Sequence, residues 1–577
     1  VTLIFLENIN DSQIYGFTVN NAANVNVWNV SDLHNTFNIK ADNNTYKYQS
    51  ANADYHNQFV AFKDENAFTD AKSVGRVANQ DIRSLANIDY VIVTHPKYLS
   101  EAQQLADFRK KHDKINVAVV TTEQVYNDFS SGAQDPIAIR DFFKFLKDGQ
   151  NPKLKYGVLF GATTYDPKNR IKEFTNYIPT FIDESSLSIE TAVTTDDYFA
   201  MLSDEVKMLQ NNVDGTYGYD ARWLQLGIGR IPASSTTEAK ILVDKIISYY
   251  DKVQGKGSSY GDWRTKIVGV TDNDNNVNTP NFDQSLDTEF NKTENQIYTL
   301  NKIYTGAHLP ESTSAGVRYP TVNQAILNGI ELGSNFLMYY GHGGPRSWAQ
   351  ERIITAEELT NLSNFNAAYS RLPIVTTVTC DFTIWDLPQY NSAGEAMLKN
   401  TNGGALSMIT TNRPIGTGYG DEMNKFLIEE FFRKEGLENQ TIGYALNQAK
   451  LKFSPTHPNH KSVSILGDPM LAAHRPQQDI YIKSIINRNG PITEGNVMKA
   501  LDFVTIEGNI VGDTDFNGKI AISLYEKPES KTILSESNHA GKTFETENKT
   551  MYKGTGVVKE GGIFEINFYI PKEVNYE

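Results

Sequence analysis

The sequence predicts an α/β protein: a central unit built on a parallel sheet in two subdomains and flanked by β-rich domains. Two observations lead to this prediction. Through the middle of the chain, apolar β-branched runs alternate with charged segments of helical spacing, which is typical of a parallel sheet covered by helices on both faces. At both ends, short alternating runs are separated by turns rich in Asn, Asp and Gly, which is typical of antiparallel strands.

Changes in the pattern of apolar and polar residues along the chain predict four domains, in line with the number expected for 577 residues. Residues 1–85 are a β-rich N-terminal domain with a linker. Residues 86–255 are a first α/β subdomain, subdomain A, and residues 256–475 are a second, subdomain B. Residues 476–577 have the pattern of an immunoglobulin-like β-sandwich, which we expect to be incomplete.

The elements of the two subdomains follow from apolar runs and helical spacing. For subdomain A we predict strands at residues 88–94, 115–120, 156–161 and 226–231, and helices at residues 99–112, 137–146 and 236–250. For subdomain B we predict strands at residues 266–270, 335–340, 372–379 and 404–410, and helices at residues 355–370 and 422–433.

Composition excludes some classes of function. The 69 acidic residues outnumber the 54 basic ones, for a net charge of -15, so we expect no nucleic-acid partner. The single Cys excludes an intramolecular disulfide. We find no apolar run of about 18 residues that would predict a membrane-spanning helix. The chain starts at Val1 without a signal-peptide pattern, and we interpret it as a piece of a longer polypeptide.

Nucleotide and metal motifs are incomplete. There is no P-loop, and the Gly227-Ile228-Gly229 run continues into a proline, which cannot open the helix of a dinucleotide fingerprint. Residues 513–518 begin like a calcium loop, but Leu524 stands where a bidentate Glu belongs, so a hairpin turn is the better interpretation. Residues 272–276 could be an acidic cap, a metal site or part of an active-site rim. We expect no required cofactor and leave a structural calcium open.

His342 and Cys380 form the most informative pair. Each directly follows an apolar strand, and the segment between them is long enough for a crossover helix. In such a βαβ unit the strands are parallel, so both residues reach the carboxyl edge of the sheet, where sites form in open α/β sheets. An imidazole beside a thiol raises the thiolate fraction, and nearby glycine N–H groups can bind an oxyanion. A lone Cys is more often a small buried hydrophobe and a His in a glycine turn is often structural, but their joint placement favours a catalytic dyad.

The motifs around this pair resemble those of the gingipain family of caspase-like cysteine peptidases. Gly341-His342-Gly343-Gly344 and the strand ending in Thr379-Cys380 carry the resemblance. Further similar segments are Tyr165-Asp166-Pro167-Lys168-Asn169-Arg170, Thr195-Asp196-Asp197-Tyr198-Phe199, Gly229-Arg230-Ile231-Pro232 and Leu466-Gly467-Asp468-Pro469-Met470. The resemblance covers about residues 86–475, and the flanking β domains are similar to those of the family's type IX secretion sortases.

The resemblance implies a role for each site residue. Cys380 would be the nucleophile and His342 the general base and acid. The backbone amides of Gly343 and Cys380 would form the oxyanion hole. An acidic residue that orients the His would be Asp272 or Asp274, with Asn275 equally near in the alignment. The family's pocket for basic residues cannot be traced, and the caspase Gln-Ala-Cys signature is absent.

The resemblance also implies a function. The chain would cleave the C-terminal sorting domain from secreted cargo through a Cys380 thioester and transfer the cargo to a lipopolysaccharide-type anchor. Its expected partners are cargo proteins, the anchor and an outer-membrane β-barrel docking protein, and its expected location is the cell-surface side of the outer membrane. The alternatives are a secreted endopeptidase that hydrolyses the thioester and a non-catalytic scaffold that binds cargo.

Overall fold

The computed structural model describes most of the chain in eighteen stretches. These are residues 2–6, 14–20, 24–49, 57–63, 72–73, 75–149, 151–183, 185–205, 207–211, 217–250, 259–273, 281–292, 298–433, 441–475, 478–493, 498–534, 540–546 and 550–572. The chain divides into two compact units, Val1–Asn79 and Gln80–Glu577. Within the described stretches, no helix is both long and apolar enough to cross a lipid bilayer.

The first unit is a small β structure. Its strands are β1 (Thr2–Leu6), β2 (Ile14–Thr18), β3 (Asn26–Asn29), β4 (Phe37–Ile39), β5 (Ala41–Asp42), β6 (Thr45–Gln49) and β7 (Asn57–Phe62). They form a four-stranded sheet, β1-β7-β3-β4, and a three-stranded sheet, β2-β6-β5. Val27, Phe59 and Ala61 are at the centre of its core. The alternation read from the sequence therefore becomes antiparallel strands with one buried face.

The second unit begins with the elements of subdomain A. They are β8 (Tyr90–Thr94), α1 (Leu99–Asp113), β9 (Val117–Thr121), α2 (Thr122–Phe129), α3 (Pro136–Asp148), β10 (Tyr156–Phe160), β11 (Phe181–Ile182), β12 (Thr194–Thr195), β13 (Lys207–Asn211), β14 (Tyr217–Gly218), β15 (Gly227–Ile231) and α4 (Thr236–Tyr249). Local chemistry starts these helices. The Ser235 side chain accepts the N–H of Glu238 at the start of α4, and the Asp135 side chain accepts the N–H of Ile137 at the start of α3.

The elements of subdomain B follow. They are β16 (Lys266–Thr271), α5 (Phe282–Phe290), β17 (Thr299–Tyr304), β18 (Glu311–Thr313), β19 (Gly316–Arg318), α6 (Pro320–Leu332), β20 (Phe336–Tyr340), β21 (Gly343–Gly344), β22 (Ser347–Trp348), β23 (Ile354–Thr355), α7 (Ala356–Leu359), β24 (Ile374–Thr377), α8 (Ala393–Lys399), β25 (Ser407–Thr411), α9 (Thr417–Phe431), α10 (Ile442–Lys452) and β26 (Val463–Leu466).

One ten-stranded sheet joins the two subdomains, in the order β17-β16-β20-β24-β25-β26-β15-β10-β8-β9. The strands within each half are parallel, and the reversal falls between β25 and β26, where Ile409 pairs with Ile465. Strands such as β8, β10, β20 and β25 are buried along their whole length, and apolar clusters lie on both faces. The α/β fold class predicted from continuous apolar strands is therefore confirmed.

The last part of the second unit is β-rich. Its strands are β27 (Ile480–Asn487), β28 (Gly490–Pro491), β29 (Phe503–Ile510), β30 (Lys519–Tyr525), β31 (Glu529–Thr532), β32 (Thr543–Thr546), β33 (Thr550–Lys559) and β34 (Ile563–Tyr569). Six of them form the antiparallel sheet β28-β27-β29-β34-β33-β30. The β31–β32 pair packs on subdomain B, where the ring centroids of Phe544 and Tyr304 lie 4.5 Å apart.

Two local predictions were wrong. The crossover between β20 and β24 was predicted to be a helix over residues 355–370, but its helix spans only Ala356–Leu359 and follows the three-stranded sheet β21–β23. Residues 513–518 were interpreted as a hairpin turn, but β29 and β30, on either side of them, pair with other strands. In both cases the local pattern fitted the prediction, and packing against distant segments set the actual geometry.

Candidate active site

His342 and Cys380 follow adjacent parallel strands. β20 and β24 pair in register, with Tyr339 opposite Thr377, and both strands are fully buried. His342 comes just after β20, and Cys380 comes just after β24. The two residues therefore emerge at the same carboxyl edge of the sheet, as the βαβ pattern predicts.

A small cleft at this edge contains both side chains. It has an empty volume of about 290 Å³. Its other lining residues are Phe282, Tyr340, Gly341, Val378, Thr379, Ile415, Thr417, Gly420, Asp421 and Asn424. The ring of Phe282 stands edge-on to the His342 imidazole, with centroids 6.0 Å apart and planes at 87°. An imidazole and a thiol in one cleft can carry out thiol-based nucleophilic catalysis.

The glycines after β20 bring the backbone close to the Cys380 strand. The Thr379 hydroxyl donates a hydrogen bond to the carbonyl of Gly341 at 2.5 Å. A Cβ at Gly343 would lie 2.7 Å from Cγ2 of Thr379, so only glycine fits there without a shift. The backbone N–H of Gly343 acts to lower the pKa of the Cys380 thiol and so favours the thiolate, although burial acts more strongly in the opposite direction. Gly343 is therefore the candidate oxyanion donor of this cleft.

Trp348 packs beside the loop that carries His342. Its ring stacks on Tyr339 with centroids 4.2 Å apart and planes at 5°. Its indole N–H donates to the Thr377 hydroxyl at 3.0 Å, and the N–H of the next residue, Ala349, donates to the carbonyl of His342 at 2.8 Å. The sheet β21–β23, which replaces the predicted long helix, therefore fixes the backbone of His342.

The electrostatics of Cys380 oppose thiolate formation in the free chain. Cys380 is half-buried, and burial raises the pKa of its thiol, with the charge of Asp381 acting in the same direction. The expectation that the thiol carries extra thiolate is therefore wrong for this conformation, because desolvation outweighs the Gly343 N–H. Burial also raises the pKa of Asp381 to about 6, although the charge of Arg413 opposes this shift.

Asp272 contacts the backbone of His342. Its Oδ2 accepts the His342 N–H at 3.2 Å, and its Oδ1 accepts the N–H of Asn273 at 2.8 Å. Asp272 lies directly after β16, the neighbour of β20, and is 6 % exposed. The other sequence-based candidates, Asp274 and Asn275, lie outside the described residues.

Helix α9 contributes residues that the sequence did not single out. It begins at Thr417, five residues before the predicted start, and brings Gly420, Asp421 and Asn424 to the cleft. Burial raises the pKa of Asp421, and its Oδ1 is buried with no hydrogen-bond partner among the described residues. Such a carboxylate favours a cationic or hydrogen-bond-donating group of a substrate. The rule that placed His342 and Cys380 at strand ends could have found these residues, since they follow β25.

Metal binding was left open by the sequence. Among the described residues, no three His, Cys, Asp or Glu side chains converge as metal ligands would. Part of the partial calcium pattern at residues 272–276 lies outside the described stretches.

The sequence profile of peptidase family C25 matches residues 83–474. This chain belongs to peptidase family C25. The match spans more than half of the chain, and it includes both strands that precede His342 and Cys380. The gingipain resemblance read from the motifs is therefore confirmed, and a family C25 chain of this kind has the fold of a cysteine peptidase.

Solved structures agree with this family at the level of the fold. The Arg-specific cysteine proteinase gingipain R (RgpB) is 16 % identical with a TM-score of 0.52, over 85 % of this chain and 99 % of that one. The complex of the RgpB pro- and mature domains from Porphyromonas gingivalis gives 16 % and 0.51, over 83 % and 99 %. Dimeric latent PorU from the same organism gives 20 % and 0.44, over 100 % of this chain and 47 % of that one. Among curated protein sequences, none matches significantly.

Proposed function

We propose that the chain is a cysteine transpeptidase, a sortase that cleaves secreted cargo through a thioester and transfers it to an amine. The observation that carries the chemistry is the shared cleft of His342 and Cys380, with the Gly343 N–H at the thiol. The Cys380 sulfur attacks the scissile carbonyl while His342 removes the thiol proton. The tetrahedral oxyanion lies against the N–H groups of Gly343 and Cys380.

The second half of the reaction decides between transfer and hydrolysis. His342 returns its proton to the leaving amine, and the sorting domain departs with a new N-terminus. The acyl group remains on Cys380 as a thioester, which an incoming amine or a water molecule then attacks. A bound amine has a far higher effective concentration than a free one, so an acceptor site favours transfer.

The finer parts of the proposal rest on resemblance. The motifs and the β-rich segments on both sides of residues 86–475 are similar to those of PorU, the sortase of the type IX secretion system. By this analogy the substrates are cargo proteins with C-terminal sorting domains, and the acceptor is a lipopolysaccharide-type anchor. By the same analogy we propose that the chain acts on the cell-surface side of the outer membrane, beside a β-barrel docking protein.

The test is product analysis by mass spectrometry with cargo alone and with cargo plus purified anchor. We expect an amide-linked cargo–anchor product only when anchor is present, and no cleavage by the Cys380→Ala variant. Release of a free carboxylate at every anchor concentration would instead identify a hydrolytic endopeptidase. Cargo binding without cleavage by the wild-type chain would identify a scaffold.

A further inference from the structure

Residues 411–415, at the end of β25 and just after it, contact the loop of residues 380–386 at three points. We call this loop the nucleophile loop. The Thr411 hydroxyl donates to the carbonyl of Thr379 at 2.6 Å and lies 3.1 Å from the carbonyl of Cys380. The carbonyl of Ile415 accepts from the Cys380 thiol at 4.0 Å. Between these two residues, Arg413 binds Asp386, at the other end of the loop that begins after Cys380. One short segment therefore holds both ends of the loop.

The Arg413–Asp386 contact is a buried, two-point ion pair. Nη1 donates to Oδ1 at 2.9 Å and Nη2 to Oδ2 at 2.6 Å, and the residues are 2 % and 0 % exposed. Thr194, from β12 in the separate two-stranded sheet β11–β12 of subdomain A, lies 3.0 Å from Nη2 and donates to Oδ2 at 3.1 Å. The N–H of Tyr165 donates to the Asp386 carbonyl at 2.9 Å. Planar fork contacts of this kind restrict geometry more than a single-point contact does.

The charge of Arg413 also acts on the residue next to the nucleophile. Asp381 is 8 % exposed, and among the described residues its carboxylate makes no hydrogen bond or ion pair. Arg413 is the cation whose charge stabilises the ionised form of Asp381. Its Nε is buried with no hydrogen-bond partner among the described residues, so one donor is not used by Asp386.

We propose that Arg413 is a positioning residue for Cys380: it holds the far end of the nucleophile loop through Asp386 and offsets the charge of Asp381 beside the thiol. The proposal rests on the proposed function only in taking Cys380 as the nucleophile. It gives subdomain A a part in catalysis, because Thr194 on β12 and Tyr165, which follows β10, complete the contact.

Other titratable groups also lie around the Cys380 thiol. His342 and Asp421, from the β20 loop and α9, line the same cleft. Tyr339 on β20 senses the charge of Cys380, and Asp272 on the β16 side holds the His342 backbone. These groups stay unchanged in the Asp381 and Arg413 variants described below. A change in the pH profile therefore reports on Asp381 and Arg413.

The test is the rate of alkylation of Cys380 by iodoacetamide as a function of pH, followed by intact mass. Cys380 is the only cysteine, so the signal is unambiguous. We expect Asp381→Asn to lower the midpoint of the profile by about one pH unit and Arg413→Gln to raise it by about one unit. In the double variant the midpoint should equal that of Asp381→Asn alone, because the charge that Arg413 offsets is gone.

Asp386→Asn tests whether the Arg413–Asp386 ion pair positions Cys380. We expect kcat to fall about tenfold to a hundredfold with KM within about twofold of wild type, because the nucleophile is misplaced while the cleft stays intact. The matched control is Asp468→Asn, which breaks the equally buried pair with Arg109, remote from the nucleophile loop. Melting curves measure the folded fraction of each variant, and kcat is corrected for it. If Arg413→Gln does not fold, the alkylation profile of Asp381→Asn still tests the charge effect beside the thiol.

Two results would overturn the proposal. One is a wild-type midpoint in Arg413→Gln; the other is an equal loss of kcat in Asp386→Asn and Asp468→Asn after correction for folding. Failure of the proposed transfer function looks different: the wild-type chain would release only free carboxylate at every anchor concentration, whereas the alkylation profiles would still report on Arg413.

Discussion

Asp272 accepts a hydrogen bond from the backbone N–H of His342, 3.2 Å away. The two residues follow β16 and β20, neighbouring parallel strands in which Thr271 pairs with Tyr340. A Cβ at Gly341 would collide with the side chain of Asp272, so the glycine is needed for this approach. The carboxylate therefore helps to set the path of the loop that carries the histidine.

Substituting Asp272 should separate two roles. Asp272→Ala removes the acceptor of the His342 N–H, and we expect kcat to fall about tenfold to a hundredfold, the range for a lost hydrogen bond to a charged group. Asp272→Asn keeps an acceptor oxygen, so it should retain most of the activity. An equally large loss in Asp272→Asn would show that the negative charge, and not the backbone contact, is what the histidine needs.

Gly343 and Gly344 offer a matched pair of substitutions. A Cβ at Gly343 would press on Thr379, whereas nothing lies within 4 Å of a Cβ at Gly344. We expect Gly343→Ala to lower kcat about 10²- to 10³-fold, because the Cβ displaces the backbone N–H that serves as oxyanion donor, and Gly344→Ala to change it little. Steady-state kinetics with one peptide substrate measures both. Similar kcat values for the two variants would exclude Gly343 from the oxyanion hole.

The rate of thiol alkylation should rise with pH up to a midpoint above that of a free cysteine. Burial and the charge of Asp381 raise the pKa of Cys380, so the thiolate is scarce at neutral pH. We expect iodoacetamide to react more slowly at pH 7 with the folded chain than with the same chain in denaturant. A faster reaction in the folded state would mean that His342 has already taken the proton.

Asp381 should make stability depend on pH. Burial raises its pKa to about 6, above its ordinary value of 3.8, so the folded state favours the protonated form. The associated stability is present below about pH 4 and is lost as the pH rises through about 6. Asp381→Asn should therefore raise the melting temperature by a few degrees at pH 7 and leave it nearly unchanged at pH 4. A loss of stability at pH 7 would mean that the charge itself is stabilising.

The sequence alone was enough to place His342 and Cys380. Each follows a strand of mainly apolar or β-branched residues, and such strands are typical of a buried parallel sheet, so their ends share one edge of the sheet. The glycines beside His342 were visible in the same way. The match to family C25 over residues 83–474 then agrees with motifs already recognised in the chain.

Only the tertiary structure decided what surrounds this pair. Periodicity reports a segment's own burial, and it carries no information on which distant segment supplies that burial. The β21–β23 sheet replaced the expected crossover helix because Trp348 packs on Tyr339, and α9 starts early enough to bring Asp421 to the cleft. Arg413 and Asp386 are far from Thr194 in sequence, and only the packing of subdomain A against subdomain B brings the three together. Packing places residues by geometry and not by chain distance.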